Sequence, residues 1–213
     1  VFDKNFNFET YLDYALDIPM YFIKRNNQYI DMTGISFNQF LRGKKNKLGD
    51  YYEPDFNDWI DHLSTLFPQV RLKQFLEVRS MDACSWNEIC SPAAFWTGII
   101  YDDTSILESL ELMKDWTNKE RQFLNLNVPK DGLNTRFRNN KFITIAKKLL
   151  EISEKGLIRR NNLSTNKMYD ETYYLSGIKN NIAKGFSPAD ILLKKYYGDW
   201  NESLDEIYND LAF

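Results

Sequence analysis

The side chains best suited to chemistry sit in one stretch, Lys73-Gln-Phe-Leu-Glu-Val-Arg-Ser-Met-Asp82. Read as a short strand, it alternates its side chains between two faces. Phe75, Glu77 and Arg79 then share one face, and Leu76 and Val78 the other. Leu76 and Val78 suit a buried face, which leaves Glu77 and Arg79 pointing together into whatever lies above the sheet. A carboxylate is the hard oxygen ligand that magnesium takes, and a guanidinium presents a planar fork to phosphate oxygens. Lys73 falls on the Glu77 face by the two-residue count, and Asp82 lies beyond the strand end. The same two-residue pattern also describes a solvated surface pair worth little, so the elements around it must decide.

Those elements are helical on both sides of a strand-rich front. Phe8, Tyr11, Leu12, Ala15 and Leu16 have helical spacing within 6–17, bounded by Pro19. Residues 20–25 and 28–32 alternate around polar Asn26-Asn27, which predicts an antiparallel hairpin with Met20, Phe22 and Lys24 on one face and Tyr21 and Ile23 on the other. Ser36 and Gln39 form a capping box for a short helix ending near Gly43. The basic stretch 42–50, with Lys44, Lys45 and Lys47, reads as a solvated surface loop. Asp55 caps a helix with Trp59, Leu63 and Leu66 on its buried side, stopped by Pro68. His62, the one histidine, sits beside that apolar face with no second His or Cys near it, so a structural hydrogen-bonding role outweighs catalysis.

After Asp82 the small, apolar run to Tyr101 suits a buried helix. From Asp103 onward the chain reads as wholly helical. The segments are 104–116, a stretch capped by Thr117 and Glu120, 142–157 with Ile145, Leu149 and Ile152 at helical spacing and Gly156 close behind them, 169–183 ending at Gly185, a helix opened by Ser187-Pro188 and closed by Gly198, and 203–211. Strands in front and a helical layer behind make an α+β chain, strand-rich over 1–82 and helical over 83–213.

Composition narrows the classes. Of 213 residues, 43% are hydrophobic and 15% aromatic, which supplies a core and argues against disorder. A net charge of −3 without a basic run argues against a nucleic-acid surface. No apolar stretch approaches membrane-spanning length. The first residues lack the plan of a secretory signal, and the start at Val1 reads as a piece of a longer protein. Cys84 and Cys90 match neither a zinc pattern nor a Cys-x-x-Cys motif, which predicts two buried free thiols in a reducing cytoplasm.

Several longer patterns converge. Tyr14-Ala-Leu-Asp-Ile-Pro-Met-Tyr-Phe22, the run from Asp58 to Lys73, Leu76-Glu-Val-Arg-Ser-Met-Asp82, Pro92-Ala-Ala-Phe-Trp-Thr-Gly-Ile-Ile-Tyr-Asp102 and the tail from Pro188 to Trp200 occur in order. Nearly end to end, the chain resembles the C-terminal part of glutamate–cysteine ligases (gamma-glutamylcysteine synthetases) of the type shared by plants and many proteobacteria. The resemblance implies part of a glutamine-synthetase-like curved antiparallel sheet with a C-terminal helical layer. Residues 1–213 would be the C-terminal part of a single catalytic domain whose N-terminal half is absent. It implies ATP and Mg2+ as cofactors and glutamate and cysteine as substrates. The reaction would be the first step of glutathione biosynthesis, through a gamma-glutamyl phosphate.

By the same resemblance Glu77 is a magnesium ligand, and Arg79 clamps the transferring phosphate and ATP, with Lys73 as a second ATP contact. Tyr14 is a catalytic and substrate-binding hydroxyl, and Met20 and Phe22 line the amino-acid pocket. The run after Glu-x-Arg departs from the family's glycine-rich Gly-Ala-Asp-Gly-Gly-Pro-Trp, a loss that stiffens the loop. Met32 stands where a plant regulatory cysteine would fall, so that redox switch is not expected. The expected location is cytoplasmic, or plastid for a plant protein. Two alternatives remain open here: a carboxylate–amine ligase with another amine acceptor, and a non-catalytic interaction module. The fragment alone is expected to be inactive.

Overall fold

The computed structural model describes residues 5–82, 84–163 and 170–212. It divides into two compact units, Val1–Met81 and Asp82–Phe213.

The first unit opens with α1, Phe8–Asp17, whose N-cap Asn7 exchanges hydrogen bonds with Thr10 in a capping box. Strands β1, Phe22–Arg25, and β2, Gln28–Asp31, form the hairpin the alternation predicts, with Arg25 opposite Gln28. Its two-residue turn needs positive φ at both positions, and Asn26 and Asn27 supply it at 51° and 62°. Ser36 and Gln39 cap α2, Phe37–Leu41, and Asp55 caps α3, Phe56–Ser64. Met20, Ile23, Met32, Ile35, Phe37 and Phe40 form one core, with Leu16, Ile30, Tyr52 and Trp59 against it.

Two expectations change here, one about the hairpin and one about α3. Met20 and Ile23 do not face opposite ways: both are buried in this core, while Tyr21 is exposed. The reason is that the regular ladder begins only at Phe22, and Met20 N–H instead donates to the Ile35 carbonyl. The buried stripe of α3 is also more polar than its apolar spacing suggests. Asp58 and His62 are each 2% exposed. Asp58 takes a two-pronged bond from Arg25 at 2.7 and 2.8 Å, which ties the hairpin end to α3.

Strands β3, Val70–Leu72, and β4, Leu76–Val78, make a second hairpin. The strand expected over 73–82 is therefore shorter. Lys73 lies in the turn, where its N–H donates to the Phe75 carbonyl. Leu76 is 70% exposed, so it does not line the buried face expected of it. Among the described residues the strands pair only two by two.

The second unit is mainly helical. After a short 3-10 turn at Trp86–Glu88 come α4, Ser91–Ile100, α5, Asp103–Met113, and α6, Asn118–Asp131. A small hairpin of β5, Arg136–Phe137, and β6, Asn140–Lys141, interrupts the run that periodicity assigned wholly to helix. Arg138, at φ 52°, makes its turn. Then follow α7, Phe142–Arg160, a 3-10 turn at Glu171–Leu175, and α8, Ser176–Lys184. The last helices are α9, Pro188–Tyr197, and α10, Asp205–Leu211. Tyr169, expected to start a helix, lies outside the described residues.

Ala94, Leu150, Leu157 and Leu175 are the buried centre of this unit. Gly156 does not end α7, which runs on to Arg160 and closes on left-handed Asn161. It sits where α7 meets α4: a Cβ there would lie 1.9 Å from the Gly98 carbonyl oxygen, and one on Gly98 would lie 2.2 Å from the Ser153 carbonyl oxygen. The cysteines are free but not buried as expected; Cys84 is half-buried and Cys90 exposed, because the turn at 84–90 lies at the surface.

Candidate active site

The second hairpin of the first unit brings Glu77 and Arg79 to one place, and a third residue organises them. Arg71 lies directly opposite Glu77 in the β3–β4 ladder. Its Nε donates to Glu77 Oε2 at 2.7 Å, and its Nη1 donates to the carbonyls of Ser64 at 2.7 Å and Leu66 at 3.0 Å. Arg71 is 6% exposed, so it acts as an anchor rather than a surface charge. Glu77 Oε1 faces Arg79 Nη1 at 3.4 Å.

Glu77 is thus held between a buried guanidinium and an accessible one. The hydrogen bond from Arg71, foremost, holds its carboxyl below the usual value, and the charges of Arg71, Arg79 and Lys73 act the same way. It is a fixed carboxylate near neutral pH. Arg79 has a second restraint, because its guanidinium carbon lies 5.1 Å from the centre of the Phe67 ring, a cation–π contact. Phe67 is 62% exposed and meets Tyr21 edge to face at 6.1 Å. The arrangement can present an oriented, planar cation to an anion.

Sequence reading missed Arg71, Phe67 and Tyr21. A signal for Arg71 existed. Residues six apart across a three-residue turn, Lys73-Gln74-Phe75, are cross-strand partners, so an Arg at 71 must meet an acid at 77.

The remaining site candidates divide. Tyr14 is 41% exposed and packs against Tyr11 at 5.9 Å. The Tyr11 hydroxyl in turn accepts from Leu72 N–H at 3.3 Å, so α1 is tied to β3. Burial of part of the Tyr14 ring, then Tyr11, raises its hydroxyl's pKa, which keeps it a neutral donor. Phe22 is half-buried under Tyr29, edge to face at 4.7 Å, with the Lys24 ammonium nearby. Met20 is 2% exposed and presents no surface, because its chain is pulled inward at Ile35. Lys73 is exposed in the β3–β4 turn.

Magnesium does not fit the donors present. Both Glu77 oxygens already face guanidinium donors, and among the described residues no group of three or more His, Cys, Asp or Glu side chains gathers as a metal site would. A lone carboxylate between two cations does not attract a divalent ion.

Comparison with known proteins gives the family. Residues 1–210 match the family described as glutamate-cysteine ligase family 2. The chain belongs to that family. It is 43% identical over 213 residues to the chloroplastic glutamate–cysteine ligase of Arabidopsis thaliana, and 42% identical to that of Solanum lycopersicum. It is likewise 42% identical to glutamate–cysteine ligase A, chloroplastic, of Oryza sativa subsp. indica. All of this chain is covered in each case, but only 39% of the first two relatives and 42% of the third. The chain thus spans well under half the length of the curated relatives it matches. The cytoplasmic expectation is corrected here, because these relatives are named chloroplastic.

Proposed function

We propose that the chain is the C-terminal part of a glutamate–cysteine ligase catalytic domain, one that acts in a plastid. The γ-carboxylate oxygen of glutamate attacks the γ-phosphorus of ATP, and ADP leaves. The cysteine amine then attacks the acyl carbon, a proton leaves the nitrogen, and phosphate departs. Such a sequence demands placed charge more than covalent help from the protein. The observation that carries the reading is the Arg71–Glu77–Arg79 line, a buried anchor, a fixed carboxylate and an accessible guanidinium, in a chain of this family.

In this reading Arg79 holds the transferring phosphate, Lys73 adds an ATP contact from the turn, and Glu77 orients Arg79. Tyr14 donates its hydroxyl to a substrate oxygen. Phe22 supplies the apolar wall for the amino acid, and Met20 supports that wall from the core. The two hairpins of the first unit are proposed as parts of a larger, curved, glutamine-synthetase-like sheet completed by strands from outside this chain. That each ladder has only two strands among the described residues supports it. The carboxylates that would hold magnesium would come from the same source, so no step is assigned to the metal here.

The test has two arms. Residues 1–210 replace the matching segment of the Arabidopsis relative, and the chimera is assayed with cysteine, 2-aminobutyrate and ammonia as amines. ATP-dependent γ-glutamylcysteine formation, with cysteine preferred, is expected. Preference for another amine would make it a ligase of different specificity, and a folded chimera without ADP release would refute the ligase reading. The isolated chain is expected to give no turnover with the same substrates; robust turnover would refute the claim that the site is incomplete.

A further inference from the structure

His62 on α3 is 2% exposed and holds a partner far away in the chain: its Nε2 lies 2.8 Å from the Ala15 carbonyl oxygen on α1. A carbonyl only accepts, so Nε2 carries the proton. The other ring nitrogen, Nδ1, is buried with no hydrogen-bond partner. The ring stacks on Phe37 at 5.0 Å and 27°, with Trp59 at 5.8 Å. A neutral ring fits this place, since its bare Nδ1 lone pair is tolerated at modest cost. A protonated ring would bury a charge and an N–H donor with no acceptor, which is far more costly.

We propose that His62 is a proton-sensitive positioning residue: as the neutral imidazole it ties α1 to the core of the first unit, and acidification breaks that tie. Tyr14 immediately precedes Ala15, so the same tie sets where the Tyr14 hydroxyl stands. The consequence for Tyr14 rests on the ligase reading above; the tie itself does not.

The surrounding charges do not offset protonation. On α3, Asp58 is engaged by Arg25 and Asp61 lies 3.6 Å from the Lys24 ammonium. On α1, Glu9, Asp13 and Asp17 are exposed, and Tyr11 and Tyr14 are the other titratable groups. α2 carries none. Burial is the leading cause acting on His62 and lowers its pKa, with the Ala15 carbonyl opposing. A lowered folded value means that the unfolded chain binds the proton first. The tie is therefore fully present above about pH 6.5, the ordinary histidine value, and weakens as the pH falls below it.

The experiment uses the chain itself and no turnover. With one histidine in the sequence, a proton NMR titration reads a single imidazole without assignment. Its midpoint is expected below 6.5. Hydrogen-exchange protection of α1 amides is then compared at pH 7.5 and 5, corrected for intrinsic rates. Protection should fall about threefold or more in the wild type. It should stay level in His62→Gln, whose amide donates to Ala15 without titrating. It should be low at both pH values in His62→Phe, which keeps the stacked ring and loses the donor. A midpoint at or above 6.5, a level wild type, a parallel fall in His62→Gln, or full protection in His62→Phe would each overturn the proposal. Should His62→Gln fail to fold, the wild-type titration and protection still decide it. Loss of product formation in the chimera would strike the ligase reading alone.

Discussion

Arg71 and Glu77 face each other across a hairpin of two three-residue strands, and the buried guanidinium also donates to the carbonyls of Ser64, the last residue of α3, and of Leu66 just beyond it. One side chain thus joins the hairpin to the chain segment leading into it. It also fixes the acid that faces Arg79.

Replacing Arg71 should therefore act twice. Arg71→Met strips the two carbonyls of their donor and should lower unfolding stability by about 1–3 kcal/mol, read by urea denaturation. It should also return the Glu77 carboxyl towards its ordinary value of 4.5. That carboxyl is held low in the fold, so its contribution is present above pH 4.5 and lost as the pH falls below it. The acid side of the stability profile should flatten in the variant. An unchanged profile would mean that Arg71 does not govern Glu77.

Arg79 should be irreplaceable by a simple positive charge. Lysine keeps the charge but lacks the planar fork and the flat stack on Phe67. In the chimera, Arg79→Lys should cost about 10²-fold in kcat, with the KM for ATP moving less. Phe67→Leu should give a smaller loss of the same kind, and Phe67→Tyr should restore it. Equal loss in both parameters for every variant would argue for general damage.

In the second unit, the hydrogen bond from Arg138, followed by those from Thr117, lowers the Glu120 carboxyl to about 2. Its stabilising effect should be present above pH 4.5 and fade as the pH falls towards 2. Glu120→Gln should therefore lower the thermal midpoint at pH 7 and hardly change it near pH 2. Arg138 is exposed and Glu120 only half-buried, so 1 M salt should shrink the difference.

Gly156→Ala tests the contact of α4 with α7. The atom met at 1.9 Å is backbone, so no side chain can swing away and the helices must part. A loss of about 2 kcal/mol or more is expected in denaturant unfolding. Little change would mean that the helices adjust freely.

The sequence by itself determined what depends on residues a few positions apart. The capping boxes at Ser36, Asp55, Thr117 and Ser187 formed where serine, threonine or aspartate precedes a polar partner by three residues. Asn26 and Asn27 specified a turn that needs positive φ twice. Family membership was legible too, because long motifs in order outweigh any single spacing. The tertiary structure alone decided which side chains meet across the chain: Arg25 with Asp58, His62 with Ala15, Arg159 on α7 with Asp102 ahead of α5. It also turned Met20 inward, exposed Leu76, and set Gly156 inside a helix crossing rather than at a helix end. The physical reason is that helix caps and turns are closed by bonds within one turn of chain. Burial and cross-chain pairing depend on where distant segments come to rest, and strand alternation over three or four residues is too short to fix which face turns inward.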